Sequence, residues 1–204
     1  MKQKIAIIDY GVGNVYSVYN SIFKLGYKVS ISSTEEAIKT ADFLILPGVG
    51  AFETAMNNLK AKKLDAMLTE EVVYKKKPLL GICVGMQMLS TVSEENGEHE
   101  GLNWIEGRVK KLSLPKGFSV PHVGWNDVHL AQKVPLFEKY VNQPHFYFDH
   151  SYHFRCDAKY IAATCDYGMA VIAAVQKDNI FGVQFHPEKS QTTGLKLFRS
   201  FFNQ

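Results

Sequence analysis

The sequence predicts an α/β fold: a mixed, mostly parallel central sheet with helices on both faces, plus a smaller antiparallel portion in the second half. Three observations lead there. Short apolar runs at Lys4–Asp9, Tyr27–Ile31, Phe43–Leu46 and Leu79–Ile82 alternate with stretches of helical patterning, and strands separated by helices pair in parallel with both sheet faces covered. Beyond about Gly101 the strand candidates are joined by turns alone, which favours antiparallel pairing. The chain has 204 residues, enough for one sizeable core with little left for a second, so a single domain spanning 1–204 is expected.

In chain order, Lys4–Asp9 reads as a buried strand and Val15–Leu25 as a helix after the turn Gly11-Val12-Gly13-Asn14. Tyr27–Ile31 is a second strand. Thr34 can cap a short helix through Lys39, with Glu35 and Glu36 in the first turn where the helix dipole favours them. Phe43–Leu46 leads into the loop Pro47-Gly48-Val49-Gly50, and two helical stretches then run to about Tyr74. After the strand Leu79–Ile82 come candidates at Trp104–Leu112, Val120–His129, Phe146–Tyr152, Ile161–Asp166, Met169–Val175 and Asn179–Phe185. A closing helix covers about Gly194 to Phe202.

Composition excludes several function classes. Lys plus Arg total 23 against 20 Asp plus Glu, a net charge of +3, too mild to argue for nucleic acid. The run Lys75-Lys76-Lys77 reads as a solvated helix end. The apolar run before Asp9 is too short for a signal-peptide core or a membrane span. Three cysteines, an odd count without metal-ligand spacing, point away from a disulfide framework and toward a reducing, cytoplasmic setting. No metal and no cofactor is expected.

Chemistry concentrates in two stretches. In Leu79-Leu80-Gly81-Ile82-Cys83-Val84-Gly85-Met86-Gln87 an apolar strand runs through Gly-x-Cys-x-Gly into a helix, the mechanics of a nucleophile elbow. The sulfur would face a helix N-terminus, where partial positive charge favours thiolate. On this pattern alone a small buried structural cysteine is about as good a reading. A thiolate attacking an amide needs a proton carrier, and Gln184-Phe185-His186-Pro187-Glu188 offers one. His186 follows an apolar strand, and Glu188 can turn its carboxylate back to the imidazole, as the acid of a triad does. Cys156 and Cys165 lack such surroundings and read as structural. His99 sits among acidic residues and reads as solvated, while His150 and His153 lack the spacing of a zinc site.

Together these stretches resemble the triad of class I glutamine amidotransferases. Asp9-Tyr10-Gly11-Val12-Gly13-Asn14, Pro47-Gly48-Val49-Gly50-Ala51-Phe52, Pro121-His122-Val123-Gly124-Trp125-Asn126 and Gln184–Ser190 narrow the resemblance to one subfamily, the glutaminase subunit of imidazole glycerol phosphate synthase. The resemblance covers essentially the whole chain and implies a flavodoxin-like three-layer fold. It also implies hydrolysis of L-glutamine by Cys83, His186 and Glu188, with oxyanion donors at Val49 and Val84 and with Gly48 and Gly50 among the glutamine-binding residues. Gln87, Glu95, His150, Ser151 and Tyr152 would hold the amino-acid part of glutamine; for Glu95 a solvated-surface reading stands beside this one. Asn14, Trp125, Asn126 and Tyr147 would lie near a partner, a (β/α)8 cyclase that receives the ammonia and forms imidazole glycerol phosphate and AICAR in histidine biosynthesis. One departure is Asp149, where the family usually carries an apolar residue. Relatives serving surface-sugar synthases share the same chemistry, and a catalytically silent subunit is a further alternative.

Overall fold

A computed structural model describes residues 3–204. The elements are β1 (Lys4–Ile8), α1 (Val15–Lys24), β2 (Lys28–Ser32), α2 (Glu35–Thr40), β3 (Phe43–Gly48), α3 (Phe52–Ala61), α4 (Leu64–Thr69), β4 (Leu79–Cys83) and α5 (Val84–Gln87). They continue with β5 (Val92–Ser93), β6 (His99–Glu100), β7 (Gly107–Lys111), β8 (His122–Asp127), β9 (His129–Leu130), β10 (His145–His150) and β11 (Tyr152–Cys156). β12 (Ile161–Asp166), β13 (Ala170–Lys177), β14 (Ile180–Val183) and α6 (Gln191–Phe201) complete the chain.

The main sheet runs β2-β1-β3-β4-β14-β13-β12-β9. Pairing is parallel from β2 to β14 and antiparallel beyond it, so the expected mixed, mostly parallel sheet is present. The chain steps one way from β1 to β2 and the other way to β3. Right-handed crossovers in opposite directions place α1 and α2 on opposite faces. Every residue of β3 and β4 is buried, as a strand covered on both sides requires. β8 and β10 form a separate antiparallel ribbon, and β11-β7-β5-β6 a small third sheet. Thr34 caps α2 as expected, its hydroxyl accepting from Ala37 N–H.

Several expectations need correcting. β3 continues through Pro47 and Gly48, because β4 keeps pairing with it as far as Gly48 opposite Cys83. The run Phe146–Tyr152 is two strands: the chain bends at Ser151, leaving the ribbon with β8 for the sheet with β7, and β11 then continues to Cys156. The strand expected from Trp104 starts only at Gly107, and α6 begins three residues earlier than the expected Gly194.

The lysine run is a solvated end only in part: Lys75 and Lys76 are exposed, but Lys77 is largely shielded. Lys75 and Lys77 lie 2.7 and 2.9 Å from the buried Glu71 carboxylate, and Lys77 also donates to the carbonyls of Ile38 and Lys39 at the end of α2. Burial works against the Glu71 charge, but the two lysines outweigh it and hold the carboxyl below its usual range. A buried carboxylate needs such partners. Among the described residues no helix is long and apolar enough to cross a membrane.

Candidate active site

Cys83 ends β4 at φ +55°, ψ −111° and opens directly into α5. A non-glycine residue rarely holds positive φ, and such strain persists only where the surroundings over-determine it. Here the surroundings are tight: a Cβ added at Gly85 would come within 1.9 Å of the Leu46 carbonyl oxygen, and one at Gly48 within 2.5 Å of Gly85 N. Gly85 is therefore required by close approach of the turn to β3. Val84 N–H is the first of α5, beside the sulfur.

His186 follows β14, the strand beside β4, so parallel register brings the two ends together. Its backbone is held from both sides: His186 N–H donates to Tyr147 O at 2.8 Å, and Ser190 Oγ donates to His186 O while accepting from Tyr147 N–H. Nδ1 bonds Glu188 Oε1 at 2.8 Å, which leaves Nε2 for the sulfur. Both side chains are almost fully buried. Burial pulls the imidazole pKa down, but the hydrogen bonds and charges of Cys83 and Glu188 overcome it and carry the pKa up to about 10. The geometry favours imidazolium beside sulfur.

These groups open into one cavity of about 270 Å³, lined also by Val49, Gly50, Val84, Gln87 and Glu95 on one side and by Pro121, the 149–152 segment and Lys189 on the other. It lies outside the carboxyl ends of the parallel strands, the usual place for a site in such sheets. Gly48 underlies the wall without lining it. Glu95 is no solvated loop residue: its carboxylate accepts from Phe52 N–H at 2.8 Å, capping α3, and it faces the cavity. Gln87 is buried and donates to Tyr152 O and Gln184 Oε1. His150 is buried with both ring nitrogens bonded, Nδ1 to Tyr152 O and Nε2 to His122 Nδ1. Burial holds its pKa down to about 3 and that of His122 to about 4. Ser151 lines the cavity while its carbonyl accepts from Leu112 N–H.

Trp125, Asn126 and Tyr147 come together on the β8–β10 ribbon, Tyr147 opposite Trp125. Trp125 is 41% exposed; Asn126 is tied down, donating to Asp166 O and to His122 Nε2. Asn14 is at the start of α1, on a turn that rests against Pro47. Asp149 sits at the cavity mouth 3.7 Å from Lys189, whose ammonium lies over the Tyr147 ring. Cys156 and Cys165 are far less reactive settings, their thiols pushed by burial to about 11 and about 12.

Two residues of the site carried no sequence signal of their own. Tyr10, fully buried, donates to the Pro47 carbonyl and so braces the wall of β3; in the sequence it is part of the Asp9–Asn14 motif, with nothing to give it a role. Gln184 donates to Cys83 Sγ at 3.6 Å.

A family model for "Glutamine amidotransferase class-I" matches residues 6–204. The chain is 49% identical to imidazole glycerol phosphate synthase subunit HisH 2 of Vibrio vulnificus (strain YJ016), covering 98% of this chain and 94% of that one. It is 47% identical to imidazole glycerol phosphate synthase subunit HisH 2 of Methanococcus maripaludis, covering 98% and 99%. Among solved structures, "Structure of PurLQS from Thermotoga maritima" superposes with a TM-score of 0.77 over 100% of this chain and 99% of that one, at 19% identity, a likeness of fold. The chain belongs to the class I glutamine amidotransferases and, within them, to the family of imidazole glycerol phosphate synthase subunit HisH.

Proposed function

We propose that the chain, acting as a single domain over 1–204, is the glutaminase subunit of imidazole glycerol phosphate synthase. In this reading it passes ammonia to a (β/α)8 cyclase subunit in the cytoplasm. The observation that carries the reading is the meeting of the strained Cys83 elbow with the buried His186–Glu188 pair at the floor of one cavity.

The Cys83 thiolate attacks the carboxamide carbon of L-glutamine, and the developing oxyanion is held by Val84 N–H and, across the cavity, Val49 N–H. His186, having taken the thiol proton, returns it to the departing nitrogen, which leaves as ammonia. Neutral His186 then takes a proton from water as the oxygen attacks the thioester; glutamate departs and the thiol is restored. Glu188 fixes the ring through Nδ1 and stabilises the imidazolium. Gln87, Glu95 and the 150–152 segment hold the amino-acid end. Trp125 and Tyr147, with Asn14 and Asn126 nearby, lie toward the cyclase.

Labelling with a glutamine-like electrophile in the presence of a cyclase tests the reading: an adduct at Cys83 is expected, and its absence favours a silent scaffold. A second reading keeps the chemistry and changes the acceptor to a nucleotide-sugar synthase. It rests on the run His150-Ser151-Tyr152-His153, which resembles relatives that feed ammonia to sugar-modifying synthases. Recovery of a sugar-specific synthase in a pull-down, instead of a cyclase, would select it.

A further inference from the structure

Cys83 Sγ lies between an acceptor and a donor. The Asp149 carbonyl oxygen is 3.9 Å away and Gln184 Nε2 is 3.6 Å away. Which end of the Gln184 amide faces the sulfur matters, because an amide oxygen there would repel a thiolate while an N–H would hold it. Neighbouring hydrogen bonds settle the orientation from one anchor, the Tyr152 carbonyl, which can only accept. Gln87 must therefore present its NH2 to Tyr152 O, at 3.1 Å. The same NH2 lies 3.0 Å from the Gln184 amide, whose nearer atom must then be oxygen. That places the Gln184 NH2 toward the sulfur.

The same carbonyl sorts the histidines on its other side. His150 Nδ1 donates to it at 2.8 Å, so His150 Nε2 accepts from His122 Nδ1 at 3.0 Å, and His122 Nε2 accepts from Asn126 Nδ2 at 3.3 Å. Every donor in this chain meets an acceptor. Turning the Gln184 amide round would set donor against donor at Gln87 and oxygen against the sulfur. Gln184 is fully buried, so no water compensates for the mismatch, and an unsatisfied buried amide costs on the order of 1–3 kcal/mol.

We infer that Gln184 is a thiolate-holding donor of this site, its N–H aimed at Cys83 Sγ and kept from reversing by the Gln87–Tyr152 hydrogen bonds. The inference rests on Cys83 being the nucleophile. When the thiol ionises its bond to the Asp149 carbonyl is lost, and Gln184 and the His186 imidazolium are the donors that remain. The titratable groups around the sulfur are His186 and Glu188 after β14, Tyr10 after β1, and His150 on β10. Asp149, Lys189 and Glu95 line the same cavity. All of them stay in place when only the Gln184 amide is removed.

The test is the pH dependence of Cys83 alkylation by iodoacetamide, read by mass spectrometry on the full chain, for wild type, Gln184→Met and Gln87→Met. Loss of one hydrogen bond to a charged group predicts about tenfold slower labelling of Gln184→Met on the acid side of the profile, a midpoint about one unit higher. Gln87→Met, which frees the amide to turn, should move the midpoint the same way by less. A Gln184→Met midpoint equal to wild type overturns the inference. If that variant does not fold by circular dichroism, an unmoved midpoint in Gln87→Met overturns it instead. A wild-type chain that is not alkylated at Cys83 near neutral pH would sink the nucleophile reading itself, a result distinct from either.

Discussion

Two buried histidine sites lie beside the cavity, and they hold different charge states, one protonated and the other neutral. His186 and the pair His122–His150 are all shielded from solvent. Desolvation pushes every one of them toward the neutral form. For His122 and His150 no carboxylate opposes it; the Tyr152 carbonyl raises the His150 pKa too little to offset burial, and the two values fall to about 4 and about 3. His186 meets a carboxylate and a thiol instead, and rises to about 10. Burial alone therefore says nothing of a histidine's role. The two sites divide the work: one carries a proton, the other fixes the tautomers and amides around it.

The largest test of this division is Cys83→Ala. It should abolish glutamine-dependent turnover in the complex with the cyclase while leaving activity with added ammonia, both read in parallel steady-state assays. His186→Ala should lower glutamine turnover by about 10²- to 10⁴-fold, the usual range for a lost acid–base group. Near-normal turnover in that variant would break the contrast between the two sites.

Glu188→Gln removes charge and keeps the base, so its loss should be smaller than that of His186→Ala. In the same variant the His186 resonance in NMR should titrate lower than in wild type, because the carboxylate that raises it is gone. Because the folded pKa exceeds the unfolded 6.5, the His186 contribution to stability is complete below about 6.5 and fades as pH climbs through about 10. Denaturant melts across that window should show the alkaline decline in wild type and a shallower one in Glu188→Gln.

The smallest effect concerns the neutral pair. Their pKa values lie below the unfolded 6.5, so the unfolded chain binds the extra protons and stability falls as pH drops from about 6.5 through about 4 toward about 3. His122→Asn keeps a donor toward His150 and removes one such group. It should move acid unfolding to lower pH while changing stability at neutral pH by about 1 kcal/mol or less. An unchanged acid midpoint would mean that another group governs the transition.

Much of this molecule could be read along the chain, where the deciding interactions are local. Leu79–Cys83 is apolar throughout and ends in a glycine-flanked turn, so strand and elbow are written in adjacent residues. Thr34 and the two glutamates after it announce their helix in the same way. The bend at Ser151 left no such mark, because Phe146–Tyr152 is uniformly strand-like and only the change of partner from β8 to β7 divides it. Lys77 looked like surface charge since its partners, Glu71 and the end of α2, come together only when the sheet forms. Gln184 was silent for the same reason. Its sulfur partner is 101 residues away, and an amide's role depends on which end faces whom.

The contact between Gly85 and Leu46 also governs where the cavity wall can yield. Up to Gly48 the end of β3 is wedged against the elbow with no slack, and the Tyr10 hydroxyl pins Pro47 from below. At Gly50 the backbone takes φ +83° with open space around it. The open space thus begins at Gly50, next to a strand end held by close packing. A peptide turning there would reorient one N–H over the bound amide and leave the sheet, the sulfur and the imidazole undisturbed.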